Sequence, residues 1–178
     1  MSRHIALLRA INVGGHTVKM DRLRALFEAL ALSNVETFIA SGNLLFESRA
    51  GAASLEKKIE RHLETELGYE VTTFIRSPSE LAAVTTTAAF PDATVDSAHA
   101  LWIGFLKEPP SANALAKLQS LACATDEFRV VGRDVHWLRH VTSTESKVTG
   151  ATVERALGMP LTARNITTVR KLAELGAR

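Results

Sequence analysis

The sequence predicts an α+β fold made of two ferredoxin-like halves, each an α-β plait. Residues 1–76 show strand and helix patterns in the order βαββαβ, which defines this plait. From Leu101 onward the order is βαββα followed by C-terminal helices, a variant of the same arrangement without its last strand. The 178 residues are 46% hydrophobic and 22% charged, which is typical of a globular protein. We therefore expect a ferredoxin-like half at 1–76, a connecting helix and linker at 77–98, and a second plait-like half at 99–178.

The elements of the first half follow from apolar runs and helical spacings. The continuous apolar run Ile5–Leu8 is typical of a buried central strand, and Gly14 and Gly15 end that strand. The predicted elements are a strand from Ile5 to about Val13, a helix from about Met20 to Leu32, strands over Val35–Ala40 and Leu44–Glu47, a helix through Leu55–Leu67 and a strand over Val71–Ile75. Gly68 is expected to end the second helix.

The elements after residue 76 are predicted in the same way. Ser77-Pro78-Ser79-Glu80 is a strong helix start, because Ser77 and Glu80 fit a reciprocal capping box and Pro78 suits the first turn. The remaining elements are a strand over Ala100–Leu106, a helix marked by Leu115–Ala122, a hairpin of Phe128–Val131 and Val135–Arg139, a short helix around Val153–Leu157 and a last helix capped by Asn165.

Composition excludes several classes of protein. The formal net charge is only +2, from 21 basic and 19 acidic residues, so a chain this apolar is not disordered. No apolar run approaches the roughly 20 residues of a membrane helix, and the N-terminus leads directly into a strand, so we expect no signal peptide. The single cysteine, Cys123, has no internal disulfide partner and follows an apolar helical pattern. We therefore expect a cytoplasmic protein with Cys123 in its core.

Three chain segments are expected to meet at one edge of the first sheet. In a βαββαβ plait, the end of the first strand, the start of the first helix and the turn between the second and third strands lie at the same edge. Unpaired helix N–H groups, glycines, short polar side chains and a cation there suit a phosphate or carboxylate. The candidate ligand-binding residues are Arg9, Asn12, Gly14, Gly15, Lys19, Ser41, Gly42 and Asn43. The alternative is two tight turns whose glycines are needed only for positive φ.

The basic C-terminal part of the chain supplies four further candidates. Residues 127–178 hold nine basic and five acidic residues, a net charge of +4. The candidates are Ser146, Lys147, Arg164 and Asn165, and we expect Lys147 or Arg164 to face the edge that holds Gly14. Ser146 and Lys147 are adjacent, so on a helix they point about 100° apart and do not readily pair as nucleophile and base. The alternative is that Asn165 caps the last helix and Arg164 is a surface residue.

Several stretches of the sequence together carry a family resemblance. They are Leu7–Gly15 with Lys19-Met20 and Leu23-Arg24, then Phe38–Phe46, and finally Glu145–Lys147 with Leu157-Gly158, Thr162–Asn165, Thr168-Val169 and Lys171-Leu172. These stretches resemble DUF 1697, a bacterial family of unknown function. That family usually has Gly where this chain has Ala10, and a longer, more basic or amide-rich loop where it has His16–Val18. The resemblance implies a cytoplasmic α+β protein and supplies no activity.

No motif indicates a metal, a cofactor or a reaction. His136 and His140 would lie about 13 Å apart on one strand, too far to bind one metal ion together, and the other histidines lack ligand spacing. We expect no metal site, and the cofactor stays unknown. The favoured function is binding of a small phosphate- or carboxylate-bearing ligand at the predicted edge, and whether the protein is an enzyme stays open, as does its oligomeric state.

Two other functions stay open alongside ligand binding. One is a nucleic-acid-binding module, because plaits bind RNA through exposed aromatic residues on their open sheet face. The first strand offers no aromatic residue and the third offers only Phe46, which fits the core. The other is a structural or regulatory protein without a small-molecule site.

Overall fold

Two four-stranded antiparallel sheets, each with its own helices, organise the protein. The computed structural model describes all residues from Met1 to Arg178. The first sheet and its helices comprise β1 (Ser2–Leu8), α1 (Met20–Glu28), β2 (Ser33–Phe38), β3 (Asn43–Ser48), α2 (Ala52–Leu67) and β4 (Thr73–Arg76). Next come α3 (Pro78–Thr86), α4 (Asp92–Ser97), β5 (Ala100–Phe105), α5 (Ala112–Gln119), β6 (Asp126–Val131), β7 (Asp134–Arg139), α6 (Gly150–Leu157), β8 (Thr162–Asn165) and α7 (Ile166–Gly176).

The first sheet confirms the predicted ferredoxin-like topology. Its strands lie in the order β2-β3-β1-β4, and every neighbouring pair is antiparallel. One face packs against α1 and α2 in a continuous apolar core that includes Leu8, Phe27 and Ile59. The residues of the other face, among them Leu7 and Leu45, are buried as well. The central strand is thus apolar on both faces, which explains its unbroken apolar sequence.

Helix α2 also protects the open edge of the first sheet. The edge strand β4 pairs only with β1, so its other backbone N–H groups need acceptors from outside the sheet. Glu56 and Glu60, one turn apart on α2, accept hydrogen bonds from the backbone N–H groups of Ile75 and Thr73, both at 2.9 Å. The carboxylates of Glu56 and Glu60 are therefore turned toward the sheet.

The second sheet is a complete plait, and the predicted βαββα order was wrong in lacking a last strand. Its order β6-β7-β5-β8 repeats that of the first sheet, with β8 antiparallel to β5. Strand β8 is only four residues long and contains Thr162, Arg164 and Asn165, so it has no apolar run to reveal it. The α+β class and the two ferredoxin-like halves are confirmed.

Several predicted element boundaries also shift. Strand β1 ends at Leu8 rather than near Val13, so residues 9–19 form a loop. Helix α1 ends at Glu28 instead of Leu32, since Ala31 adopts a left-handed φ of 58° that a helix cannot continue through. Helix α4 was not predicted, because its single turn and a half buries no residue and has no apolar periodicity.

The predicted helix start at Ser77 is confirmed in detail. The backbone N–H of Glu80 donates to the Ser77 hydroxyl at 3.1 Å, and the Ser77 backbone N–H donates to the Glu80 carboxylate at 2.7 Å. This is the reciprocal capping box, which satisfies two backbone donors that the helix itself cannot bond.

The chain divides into two compact units. The first comprises Met1–Ala83 together with Arg170–Arg178, and the second comprises Val84–Val169. The final part of α7 thus groups with the first sheet, where a Cβ placed on Gly176 would lie 3.1 Å from the Ile5 side chain. The domain boundaries at 76 and 98 stay a prediction.

None of the helices has the length and apolar character that crossing a membrane requires.

A close approach inside the second plait gives a test of the fold. A Cβ on Gly104, in the central strand β5, would overlap the side chain of Leu161 and lie 3.4 Å from the Cβ of Val135. We expect Gly104→Ala to lower the free energy of unfolding by about 1–3 kcal/mol through overpacking. Gly150→Ala, where a Cβ meets open space at the start of α6, should instead raise it by about 0.4–1 kcal/mol. Urea melts compare the two variants, and equal effects would contradict this packing.

Candidate anion-binding edge of the first sheet

The loop after β1 and the turn between β2 and β3 meet at one edge of the first sheet, as predicted. The Leu8 backbone N–H donates to the carbonyl oxygen of Gly42 at 2.8 Å. The Asn12 side chain joins the two segments: its Nδ2 donates to the carbonyl oxygen of Ala40 at 2.8 Å, and its Oδ1 accepts from the backbone N–H of Val18 at 2.6 Å. Asn12 therefore fixes the loop rather than presenting its amide to a ligand.

Left-handed backbone conformations are concentrated at this edge. They occur at Ala10 (φ 56°), Gly14 (62°), Gly15 (86°), Ile39 (52°) and Gly42 (83°). The family that this sequence resembles usually has Gly at the position of Ala10, and glycine adopts a left-handed conformation without strain. Ile39 is the outlier, because a β-branched residue rarely adopts positive φ.

The glycines at this edge have two different roles. A Cβ on Gly42 would lie 2.6 Å from Cγ2 of Ile11 and 3.0 Å from Cβ of Leu8, so only glycine fits between the loop and the strand. At Gly14 and Gly15 a Cβ would meet nothing within 4 Å. Gly42 is thus required by packing, whereas the Gly14-Gly15 pair is a solvent-exposed backbone segment.

Helix α1 begins at this exposed loop without a side-chain cap. Lys19 occupies the N-cap position with an extended backbone, and no side chain accepts a hydrogen bond from the first turn. The first-turn N–H groups therefore remain open to an external acceptor, and the helix dipole adds partial positive charge. Lys19 is exposed beside them. Asp21, in the first turn, carries the opposite charge, and its carboxylate lies 3.9 Å from the Arg24 guanidinium.

Two other predicted residues of this edge, Asn43 and Arg9, are hydrogen-bonded within the protein. Asn43 is fully buried, and its Nδ2 donates to the carbonyl oxygen of Phe38 and to the hydroxyl of Ser41, both at 2.9 Å. Arg9 is half-buried, and its backbone N–H donates to the carbonyl oxygen of Thr72 at 2.9 Å. The turn thus uses both hydrogens of the Asn43 amide, and a ligand contact by Asn43 stays a prediction.

Sequence reasoning missed a stacked ring pair beside the glycine loop. The exposed ring of His16 stacks on Tyr69, with ring centroids 3.7 Å apart and planes at 20°. The Tyr69 hydroxyl donates to the carbonyl oxygen of Ile11 at 3.4 Å. Tyr69 follows α2 in the chain, so only the folded arrangement brings it to the loop. The pair braces His16 next to Gly14 and Gly15.

The four candidates of the second unit are placed differently from one another. Ser146 is buried and Lys147 is exposed, so they form no nucleophile–base pair. Asn165 caps α7, as predicted, by accepting from the backbone N–H of Thr167 at 3.0 Å.

Arg164 is not a surface residue: it is buried on β8 and donates to the hydroxyl of Thr162 and the carbonyl oxygen of Ala163. Burial lowers the pKa of Arg164 to about 10. That Lys147 or Arg164 faces the edge near Gly14 stays a prediction.

A buried carboxylate explains the placement of Ser146. Asp126 is fully buried and accepts from the hydroxyl of Ser146 (2.5 Å), the indole N–H of Trp137 (2.8 Å) and Nε of Arg139 (3.4 Å). Burial acts to raise the pKa of Asp126, but the hydrogen bonds from Ser146, Thr125 and Trp137 and the charge of Arg139 outweigh it and lower the pKa. Ser146 is therefore part of a structural network rather than a ligand contact.

Two further expectations concern cysteine and metals. Cys123 is exposed, so its placement in the core was wrong: α5 ends at Gln119, and Cys123 lies in the turn before β6. Its Sγ lies 3.2 Å from the Thr125 hydroxyl, and hydrogen bonding to Thr125 lowers the pKa of the thiol. No group of three or more His, Cys, Asp or Glu side chains is arranged to hold a metal ion.

Comparison with known proteins gives a family and a fold but no activity. The family model described as "Protein of unknown function (DUF1697)" matches residues 1–136. Among solved structures, the chain is similar to the conserved bacterial protein SP0830 from Streptococcus pneumoniae, with a TM-score of 0.78 and 25% sequence identity over 100% of this chain and 99% of the other. A search of curated proteins finds no match.

The two roles of glycine at the edge can be separated by substitution. Both Gly15→Ala and Gly42→Ala force an L-residue into a left-handed conformation, which costs about 1–2 kcal/mol. Gly42→Ala also creates the overlap with Ile11 and Leu8, so we expect it to lower the free energy of unfolding by at least about 1 kcal/mol more than Gly15→Ala. Denaturant melts of both variants measure the difference. Equal losses would show that Gly42 is not required by packing.

The Asp126 network should give the stability a defined pH dependence. Asp126→Asn leaves Arg139 buried without its ionic partner, so we expect a loss of about 3–5 kcal/mol at pH 7. Because the folded-state pKa of Asp126 is lowered, its stabilising contribution is fully present above the ordinary pKa of 3.8 and is lost as the pH falls through the folded-state pKa. The difference between the variant and the wild type should therefore begin to shrink as the pH falls below about 3.8 and should close as the pH falls through the lower folded-state pKa.

Urea melts between pH 7 and pH 3 test this expectation. Asp96→Asn, at an exposed position of the same unit, is the matched control and should stay close to the wild type throughout. A constant difference between Asp126→Asn and the wild type at every pH would contradict the assignment.

Proposed function

We propose that this chain, which belongs to the DUF1697 family of unknown function, binds a small phosphate- or carboxylate-bearing ligand at the edge formed by the Gly14-Gly15 loop and the Ser41–Asn43 turn. The family supplies no activity, so the support for this function comes from the structure of the chain. One observation carries the proposal. The exposed Gly14-Gly15 backbone belongs to the same loop as the uncapped N-terminus of α1, which begins five residues later at Met20. Exposed backbone N–H groups at a helix start are a general means of holding an anion.

The surroundings of the loop support binding without large rearrangement. Asn12 ties the loop to the neighbouring turn, and His16 is stacked on Tyr69, so two sides of the loop are held in place. A pre-formed site binds more tightly because less conformational entropy is lost on binding. Lys19 supplies the positive charge that a phosphate or carboxylate needs.

The conformation of Ile39 also favours a functional edge. Its left-handed backbone costs free energy, and its side chain is 49% exposed, so little burial offsets that cost. Val13, 57% exposed, is the other large apolar residue of this edge. Strained residues that persist without a packing benefit are found most often where a protein binds something. The two side chains offer an apolar rim to the organic part of an anionic ligand.

Two alternative functions, nucleic-acid binding and a purely structural role, lead to different expectations from ligand binding. A nucleic-acid-binding plait needs exposed aromatic residues on its central strands, and Phe46 is fully buried here. A purely structural role predicts that no small anion stabilises the protein. The edge also lacks a nucleophile paired with a base, so we propose binding and assign no catalytic residue.

Opposite charge changes at the start of α1 test the proposal. A thermal-shift screen of sugar phosphates, nucleotides and carboxylates first finds a stabilising anion, since ligand binding raises the melting temperature. Lys19→Gln should weaken that binding about tenfold through loss of a charge-assisted contact. Asp21→Asn should strengthen it about two- to fivefold by removing a competing negative charge from the helix start. Isothermal titration calorimetry measures both changes.

The same screen defines the results that would contradict the proposal. Stabilisation by oligonucleotides alone would favour the nucleic-acid alternative, and no stabilisation by any compound would favour the structural one. If Lys19→Gln and Asp21→Asn shifted the affinity in the same direction, the anion would not bind at this helix start.

A further inference from the structure

A cavity in the first unit lies between the end of α1 and the outer side of α2. Its volume is about 460 Å³, which is within the range of small-molecule sites. It is lined by Leu30, Lys57, Lys58, Arg61, His62 and Thr65. Helix α1 begins at the Gly14 edge, and Leu30 follows its other end, about 13 Å away along a nine-residue helix. The cavity is therefore separate from the site proposed above.

The charged residues that line this cavity carry one sign, because Lys57, Lys58 and Arg61 are among them and no carboxylate is. Glu56 and Glu60 are hydrogen-bonded to the backbone of β4, as described above. Lys57, Lys58 and Arg61 are exposed and line the cavity instead. The helix thus presents these three cations to the cavity and two of its four carboxylates to the sheet, while Glu64 and Glu66 are exposed and do not line the cavity.

These cations have no carboxylate partner in the folded chain. Ion pairs elsewhere in the first unit include those of Arg3, Arg24 and Lys171. Lys57 and Arg61 lie one helical turn apart, a spacing at which like charges destabilise a helix. An anion in the cavity would remove this repulsion, so the arrangement favours an occupied site.

The remaining lining supplies hydrogen-bonding atoms and an apolar wall. Nζ of Lys58 donates to the carbonyl oxygen of Leu30 at 2.9 Å, which holds its stem along the cavity and leaves further N–H groups. The Thr65 hydroxyl donates to the carbonyl oxygen of Arg61 at 2.9 Å, so its oxygen can still accept. Nε2 of His62 is buried and has no hydrogen-bond partner, an arrangement that costs free energy until a partner is supplied.

We propose that this cavity binds a small phosphorylated molecule. Its phosphate lies against Lys57 and Arg61, since a guanidinium and an ammonium together suit a doubly charged phosphate. Its organic part lies against Leu30 and the ring of His62. A free inorganic phosphate shares only the first set of contacts, and a nucleic acid would need contacts that continue beyond the cavity.

Calorimetry and NMR of the full chain test this proposal. The probes are adenosine 5′-monophosphate, adenosine, inorganic phosphate and a short single-stranded oligonucleotide. We expect the monophosphate to bind and adenosine to bind at least tenfold more weakly, because a charge-assisted phosphate contact is lost. Backbone amide shifts on adding the monophosphate should centre on residues 57–65.

The test variant carries Lys57→Gln and Arg61→Gln together, both in α2. Its matched control is Lys117→Gln in α5, because Lys117 is an exposed helical lysine outside the cavity. Glutamine is a good helix former and removes only the charge. The double variant should lose at least tenfold in affinity for the monophosphate. Its melting temperature without ligand should be unchanged or higher, because a like-charge pair has gone. Lys117→Gln should bind as the wild type does.

Several results would overturn the proposal. Failure of the wild type to bind the monophosphate at ~10 mM would do so, as would binding of the monophosphate by the double variant with the affinity of the wild type. Equal affinity for inorganic phosphate, or tighter binding of the oligonucleotide, would also overturn it. Backbone amide shifts centred on residues 13–20 would overturn it as well and would support the edge site. Conversely, loss of the edge site in Lys19→Gln leaves this prediction intact, so the two sites are tested separately.

Discussion

The position of β1 is the constraint on which the first unit depends. This strand is hydrogen-bonded to β3 on one side and to β4 on the other, and its residues Ile5–Leu8 are buried on both faces. The loop that leaves it must therefore pass over the neighbouring turn, where Gly42 allows the backbone to approach Ile11 and Leu8. The exposed glycine loop and the start of α1 are placed by this packing, so the candidate site is a consequence of how the core closes.

Hydrophobic pattern was enough to predict most of the fold, because most elements bury a regular apolar stripe. The order of the first plait, the hairpin of β6 and β7 and the capping box at Ser77 all follow from local sequence. Strand β8 did not, because its four residues, three of them polar, form a strand only where β5 offers a free edge. Helix α4 buries no residue, and nothing in its sequence distinguishes it from a loop.

The candidate site was predictable in position but not in the roles of its residues. Strand direction alone places the two turns at one edge, and the hydrogen bond from Asn12 to Ala40 confirms it. Which side chains remain available depends on partners distant in sequence. Ser146 is bound to Asp126, twenty residues earlier, and His16 stacks on Tyr69 at the far end of α2. Such pairings have no signature in a single sequence, because polar residues in loops look alike whether they bond to the protein or to a ligand.

The second plait offers an internal comparison for the first. Both contain a helix that follows the first strand of a plait, α1 in one case and α5 in the other. In α5 the N-cap Ser111 accepts a hydrogen bond from the backbone N–H of Ala114 at 3.1 Å, whereas Lys19 provides no such bond to α1. The loop before α5 carries Pro109 and Pro110 in place of the exposed glycine pair. A side-chain cap stabilises a helix by about 1 kcal/mol, so its absence from α1 is a cost that the shared topology does not impose. An anion that bonds to the first turn of α1 would supply to that helix the stabilisation that Ser111 supplies to α5.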